Sequence, residues 1–512
     1  MLNFNYKNPN KNEDININLV TEEDLSNFNN NYSNDNGISS KSDSQSSISY
    51  LENQLNDLAI NVKDKKYGAI GDGVKRTIKE VDPSVTLEEV KALCADATLD
   101  DQWDWYALQK AFNDLITIPS LFLPATPPAN AGDDTKTYVI SKPLTIPYVQ
   151  LREIYGHPRT TILQIGNNMP IIQFKYEDTW GINIHDLYLK YASPQVSGNT
   201  KSIAICLNPD KSTPNGMYFL NFNNIRITNC YYGFAVNKEN RPANFKCACW
   251  SSTFSNFTFK NCYCGGFDFN NGIGQPNITL RNIRCLNESS FINRAKETGY
   301  SSYFILAVAT QLEINDLDLE YWTNGIFNCS GGGSLIASNW HIEHHSVTEN
   351  YTYTKPWIHC QNTGFFKFNY IDISDVNNND KDICTVMGND TGTMIVDGLK
   401  VQVASSSKAI YDFYGNGDIY VNGTNYVNNK VTKSPSWIAS NIKRYGNDYL
   451  ELKINGVKLL SGSSSPNSAV KTAYNKGDII YNNNPSPGGY VGWICIASGT
   501  PGTWKGFGTI SK

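Results

Sequence analysis

Between about residues 180 and 430 the chain alternates apolar and polar residues in short runs separated by polar or glycine-rich stretches. INIHDLYLKY, FNNIRITNC, FSNFTFKNC, ITLRNIRCL, LEINDLDLE, ASNWHIEHH, FNYIDISD and MIVDGLKVQV each carry an apolar side chain at every second position. A period of two is that of a strand buried on one face. The runs recur at loose intervals of roughly 23 to 38 residues, as in a solenoid whose coils differ in loop length. An antiparallel sandwich would need hairpin turns of about two to five residues between runs, and most intervals are longer. The pattern therefore predicts an all-β chain, a single-stranded parallel β-helix.

The runs share a core in which Asn or Asp usually precedes an apolar-x-apolar pair. Aligned on it, they begin at Asp186, Asn224, Asn256, Asn282, Asp316, Asn339, Tyr370 and Gly398. Two outward columns follow. The first reads Tyr188, Arg226, Thr258, Arg284, Asp318, His341, Asp372, Lys400. The second reads Lys190, Thr228, Lys260, Leu286, Glu320, Glu343, Ser374, Gln402. Coils stacked about 4.8 Å apart would gather Arg284, Asp318, Glu320, His341, Glu343 and Asp372 into one patch roughly 10–15 Å across.

Crowded acids repel when all are charged, so one is expected to stay protonated near neutrality. A proton donor beside an ionised carboxylate is the requirement for glycoside cleavage. Glu343 and Asp318 lead the candidate catalytic groups, followed by Glu320, His341 and Asp372. His341 could instead serve as the base of a lyase or of phosphodiester cleavage. Arg284, Lys400, Tyr321, Trp322 and Trp357 are the candidate substrate-binding groups, the three aromatics as walls of a sugar groove. The competing reading is a solvated face on which Arg284 and Lys400 neutralise the acids. HIEHH is not the H-E-x-x-H zinc pattern, and no metal or other cofactor is assigned, although the acids leave room for a divalent cation.

Outside the alternating region the chain changes character. Residues 1–47 are rich in Asn, Ser and Asp and are expected to order only against a partner. In SISYLENQLNDLAINV, Ile48, Leu51, Leu55, Leu58 and Val62 follow a heptad seam, which predicts a short coiled-coil neck over 48–64. The β-helix is placed at 65–440 and a small β module at 441–512, whose Trp493, Trp504, Tyr490 and Phe507 either stack on sugars or, the preferred reading, form the module's core.

Net charge is only −5, and no basic stripe points to nucleic acid. No window of about twenty apolar residues suits a membrane span, and the polar N-terminus lacks a signal-peptide core. The twelve cysteines are scattered. Cys247-Ala-Cys249 and Cys262-Tyr-Cys264 are too tight for zinc pairs, so the thiols are expected to be free, buried and small.

YGAIGDGV, residues 67–74, has neither dinucleotide nor Walker spacing. It resembles instead the start of the pectate-lyase-like right-handed β-helix superfamily, where a glycine turn leads to a capping helix. About twenty residues intervene before the helix resumes in ATLDDQWDWYALQKAF, and LFLPA with KTYVISKPLTIPYVQLREIYGHPRTTILQ is similar to that superfamily's first coil. The C-terminal KGDIIYNNNPSPGGYVGWICIASGTPGTWKGFGTI is similar to modules at the ends of phage tailspikes. The whole layout resembles pre-neck appendages and tailspikes of short-tailed phages of Gram-positive hosts. That resemblance implies a homotrimeric virion protein, held to neck or tail proteins through its N-terminus and acting outside the host cell. Its target would be wall teichoic acid or capsular polysaccharide, bound and degraded by a depolymerase, with hydrolysis preferred over elimination. A non-catalytic adhesin and a secreted bacterial polysaccharide lyase are the alternatives.

Overall fold

In the computed structural model the chain divides into two compact units, Met1–Asp57 and Leu58–Lys512. The first is described only as backbone strands Asn3–Lys7 and Asp14–Asn18, which pair antiparallel. The second is described from residue 59 onward, apart from 126–136, 175–178, 208–216, 237–248, 270–276, 291–302, 309–310, 324, 331–332, 347–354, 362, 377–383, 405–409, 428–430, 437, 446–451, 455–456, 468–472 and 512. The seam positions Ile48, Leu51, Leu55 and Leu58 lie outside the described residues. Val62 does not: it is fully buried in the main core, just beyond the strand Ile60–Asn61, which pairs with Ser120–Leu123. The solenoid thus begins before residue 65, because Val62, which fits the heptad seam, fits equally well as an inward residue alternating with the buried Ile60.

Each coil contributes one long strand to a 16-stranded sheet and one short strand to an 11-stranded sheet. The chain runs from Gln311–Glu320 to Gly325–Cys329, back to Ser334–Glu343, then to Ile358–Cys360 and Phe365–Val376. Neighbouring long strands are parallel, as are neighbouring short ones. Every second residue of a long strand points inward, so one column of side chains fills the interior from coil to coil. Low in the solenoid the filling is aromatic, with Phe222 stacked on Phe254 at 5.1 Å. Higher up it is Leu317, Trp340, Ile371 and Leu399, all buried.

The glycine stretch and the helix Trp103–Asp114 close one end. Asp104, in the first turn, is buried and accepts backbone N–H bonds from Ile70 (2.7 Å), Gly71 (3.2 Å) and Val139 (3.1 Å). Gly71 takes φ +64°, and a Cβ there would meet the Tyr138 ring at 2.6 Å. The glycines therefore bring backbone amides to a carboxylate of the chain's own, which explains the phosphate-loop appearance. The intervening residues form the short helices Ile78–Val81 and Leu87–Leu93, the second closed by reciprocal Thr86–Glu89 hydrogen bonds. Replacing Asp104 by Asn would turn an amide toward backbone donors; we expect a loss of about 2 kcal/mol in denaturant unfolding.

The last coil strand is Ile442–Tyr445, paired with Asp418–Val427, so the β-helix runs past residue 440. Strands Leu452–Ile454, Val457–Gly462, Ile479–Asn482, Tyr490–Ala497 and Thr503–Thr509 then form a separate five-stranded sheet. Its buried side chains are Ile480, Cys495 and Asp478. Trp504 packs edge-on to Tyr474 and Phe507 to Tyr481, while Tyr490 is exposed; these aromatics are only partly covered. Of the eleven cysteines described, all but Cys94 are buried.

Candidate functional site

A left-handed backbone residue bends each long strand. The positive φ angles fall at Asp186, Asn224, Asn256, Asn282, Asp316, Asn339, Tyr370 and Gly398, the residues on which the runs align in sequence. Asn, Asp and Gly enter this conformation at least cost, so the repeated Asx is the local cause of the bend. Side chains link corners on successive coils: Asn224 donates to Asp186, Asn282 Nδ2 to Asn256 Oδ1 at 2.6 Å, and Asn339 Nδ2 to Asp316 Oδ1 at 2.7 Å.

Beyond this corner the coils stack in the expected register. Arg284 lies opposite Asp318, Asp318 opposite His341, His341 opposite Asp372, and Asp372 opposite Lys400. Below them come Thr258, Arg226 and Tyr188, with the Arg226 guanidinium 4.8 Å over the Tyr188 ring. The second column pairs Leu286 with Glu320, Glu320 with Glu343, and Glu343 with Ser374.

The charge arrangement corrects the picture of five mutually repelling groups. Along the first column a cation or imidazole separates the acids, in the order Arg284, Asp318, His341, Asp372, Lys400. Lys400 Nζ donates to Asp372 Oδ2 at 2.8 Å, and this bond raises the Lys400 pKa. Only Glu320 and Glu343 face each other as like charges on adjacent coils. The Glu343 carboxylate lies 3.7 Å from both His341 Nε2 and His344 Nε2, ion-pair rather than hydrogen-bond distances.

Two oxygens stand out. Asp318 Oδ1 and Asp372 Oδ1 are buried and have no hydrogen-bond partner, and Asp372 as a whole is only 9 % exposed. A buried acceptor without a donor costs about 1–3 kcal/mol, so such a pair on either side of one imidazole calls for an explanation beyond folding. Being two coils apart, their backbones are separated by roughly 9.6 Å. The backbones of Glu320 and Glu343 are one coil, about 4.8 Å, apart.

Of the five predicted substrate-binding residues, Arg284 and Lys400 lie in the first column. Tyr321 is partly exposed and stacks on His344 at 4.4 Å. Trp322 and Trp357 are buried and do not line a groove. Trp322 donates to Gly325 O at 2.7 Å and Trp357 packs edge-on to His345 at 4.8 Å. The chain turns inward just after Tyr321, which the alternation of the preceding strand does not reveal.

A second corner, absent from the sequence reading, flanks the site. Asn229, Asn261, Tyr321, His344 and Asp375 have positive φ, and each follows a first-corner residue by five positions. His344 Nδ1 lies 2.6 Å from Asp375 Oδ2. The signal was present in the repeated Asn at 224/229 and 256/261. Among the described residues, no group of three or more His, Cys, Asp or Glu could hold a metal ion.

No protein-family model matches the chain, and no curated protein does. Among solved structures it is similar to the A-module of the mannuronan C-5 epimerase AlgE6 of Azotobacter vinelandii, at 12 % identity over 75 % of this chain and 90 % of that one, TM-score 0.36. It is also similar to the ORF18 protein of Geobacillus virus E2, at 12 % identity over 100 % of this chain and 85 % of that one, TM-score 0.37. A third similarity is to the enzymatically active domain of tailspike protein 2 of bacteriophage CBA120, at 11 % identity over 72 % and 48 %, TM-score 0.35. These likenesses transfer no site residue, and the parallel β-helix stands on the strand register itself.

Proposed function

We propose that this chain is a phage appendage or tailspike protein that binds a host cell-surface glycopolymer and cleaves it by hydrolysis. The observation that carries the reading is the pair of unpartnered carboxylate oxygens, Asp318 Oδ1 and Asp372 Oδ1, on either side of His341 in one column. Asp372 is held through Oδ2 by Lys400, which leaves Oδ1 to accept a proton from an attacking water. Asp318 delivers a proton to the leaving oxygen. The backbone separation of roughly 9.6 Å suits carboxyls about 6.5–9.5 Å apart, which leave room for that water and invert the anomeric centre. Glu343, between two imidazoles, positions His341 and His344. The order along the sequence of an Asn- and Ser-rich N-terminal segment, a solenoid and a small C-terminal sheet supports a virion protein, with Gram-positive wall teichoic acid or capsule as the target class.

The test is incubation of the purified protein with Gram-positive cell walls, with release of soluble fragments and retention on the walls measured together. Fragment release is expected. Retention without release would make the protein an adhesin and remove the catalytic reading.

A further inference from the structure

The first corner changes residue type beside the proposed chemistry. From Asp186 to Asn339 six successive corners turn on Asn or Asp. The next corner is Tyr370, with φ +57°, and the one after it is Gly398. A left-handed backbone is disfavoured for a tyrosine, and a tyrosine cannot continue the links that join Asn339 to Asp316 and Asn282 to Asn256. The strain brings no burial either, since Tyr370 is 54 % exposed. On the following coil Gly398 lies beside the ring, where a Cβ would stand in ordinary van der Waals contact with Tyr370 Cδ2 at 3.6 Å. Two residues after Tyr370 comes Asp372, with its unpartnered Oδ1, between His341 and Lys400.

We infer that Tyr370 is a stacking platform that seats a pyranose ring of the substrate against Asp372 and His341, and so helps select which sugar enters. The inference rests on the proposed function in taking the Asp318–Asp372 column as the place where a glycan binds. The C–H face of a sugar ring suits an exposed aromatic face, and the corner's left-handed backbone holds the ring at one fixed point on the rim. An Asn at this corner would favour folding; a tyrosine there favours a ligand.

Y370N and Y370F test this together, by thermal unfolding and by binding to a panel of purified Gram-positive wall teichoic acids and capsular polysaccharides. Y370N restores the common corner, so its unfolding temperature is expected to rise by about 1–2 °C, while affinity for the glycan that the wild type binds falls about tenfold. Y370F is expected to match the wild type in both. A lower unfolding temperature for Y370N would make Tyr370 a structural cover for Gly398 and overturn the inference, with or without a ligand in hand. Unchanged affinity in Y370N would overturn it as well. If the wild type binds but releases no fragments, and Y370N weakens that binding, the catalytic reading fails while the platform stands. If wild type and Y370N cleave with equal KM, the platform fails while the catalytic reading stands. Absence of wild-type binding to every polymer of the panel would overturn both.

Discussion

Asp318→Asn is expected to lower the rate of fragment release by two orders of magnitude or more, with retention on the walls unchanged. The size follows from the role: a positioned proton donor contributes about 10²- to 10⁴-fold, and a hundredfold loss corresponds to about 2.7 kcal/mol of transition-state stabilisation. Asn has the shape of Asp but no proton to give. Asp318 Oδ1 receives no hydrogen bond, so no donor loses a partner when that oxygen becomes an amide nitrogen or stays a carbonyl. Unfolding in denaturant should therefore be no easier than in the wild type. That combination separates a catalytic acid from a structural one, whose loss would lower activity and stability together. Asp372→Asn should show the same kinetic loss with a small stability cost, because Lys400 then loses its carboxylate partner at 2.8 Å. Glu343→Gln should cost less, about tenfold, since the proposed role of Glu343 is to position His341 and His344. Wild-type release rates in both Asp318→Asn and Asp372→Asn would move the chemistry off this column.

Acid should weaken the fold through His345. This side chain is fully buried, Trp357 packs edge-on against it, and a weak contact with the Trp322 backbone does not offset the loss of water. Burial disfavours the imidazolium and depresses the His345 pKa to about 3. In the unfolded chain the same imidazole titrates near about 6.5. Between these values the unfolded state binds more protons than the folded one, so stability rises with pH across the window. The contribution is full above about pH 6.5 and is lost progressively as pH falls toward 3, for a total of roughly 5 kcal/mol. By pH 4 the wild type should have lost about 3 kcal/mol more than His345→Phe, relative to each protein's own stability at pH 7. Denaturant titrations at both pH values, on both proteins, measure it; carboxylates titrating in the same range cancel in the comparison. Equal losses in the two proteins would show that His345 is not held neutral by burial.

The fold was legible because one local rule recurs in most coils. An Asx two residues before the outward position bends the strand, and the apolar pair that straddles this position fixes which side chains face in. Aligning Asp316 with Asn339 was enough to set Asp318 against His341, and the pairing agrees. Even Tyr370 and Gly398, which are not Asx, were placed at the corner by their flanking apolar residues. Side-chain environment was less legible. Trp322 and Trp357 looked like groove walls because aromatics near an acidic patch invite that reading, yet a tryptophan just past a corner turns inward as readily as a leucine. The alternating charge order followed from the same alignment, but counting acids without their register concealed it. His344 and Asp375 escaped because the aligned core ended before the second corner. At the N-terminal end Val62 fitted the heptad seam as well as an alternation with Ile60, and only the pairing of Ile60–Asn61 with the Ser120–Leu123 strand decides between them.

The proposed function requires one column of outward side chains, contributed by separate coils, to act together on a single sugar chain. A crystal structure of Asp318→Asn soaked with oligosaccharides prepared from Gram-positive cell walls tests this most directly, since the variant should bind without cleaving. Sugar density is expected across His341 and Asp372, with one ring against Tyr370 and the chain extending toward Arg284. An ordered oligosaccharide held only by the C-terminal module or by the short sheet, with the column facing empty solvent, would contradict it.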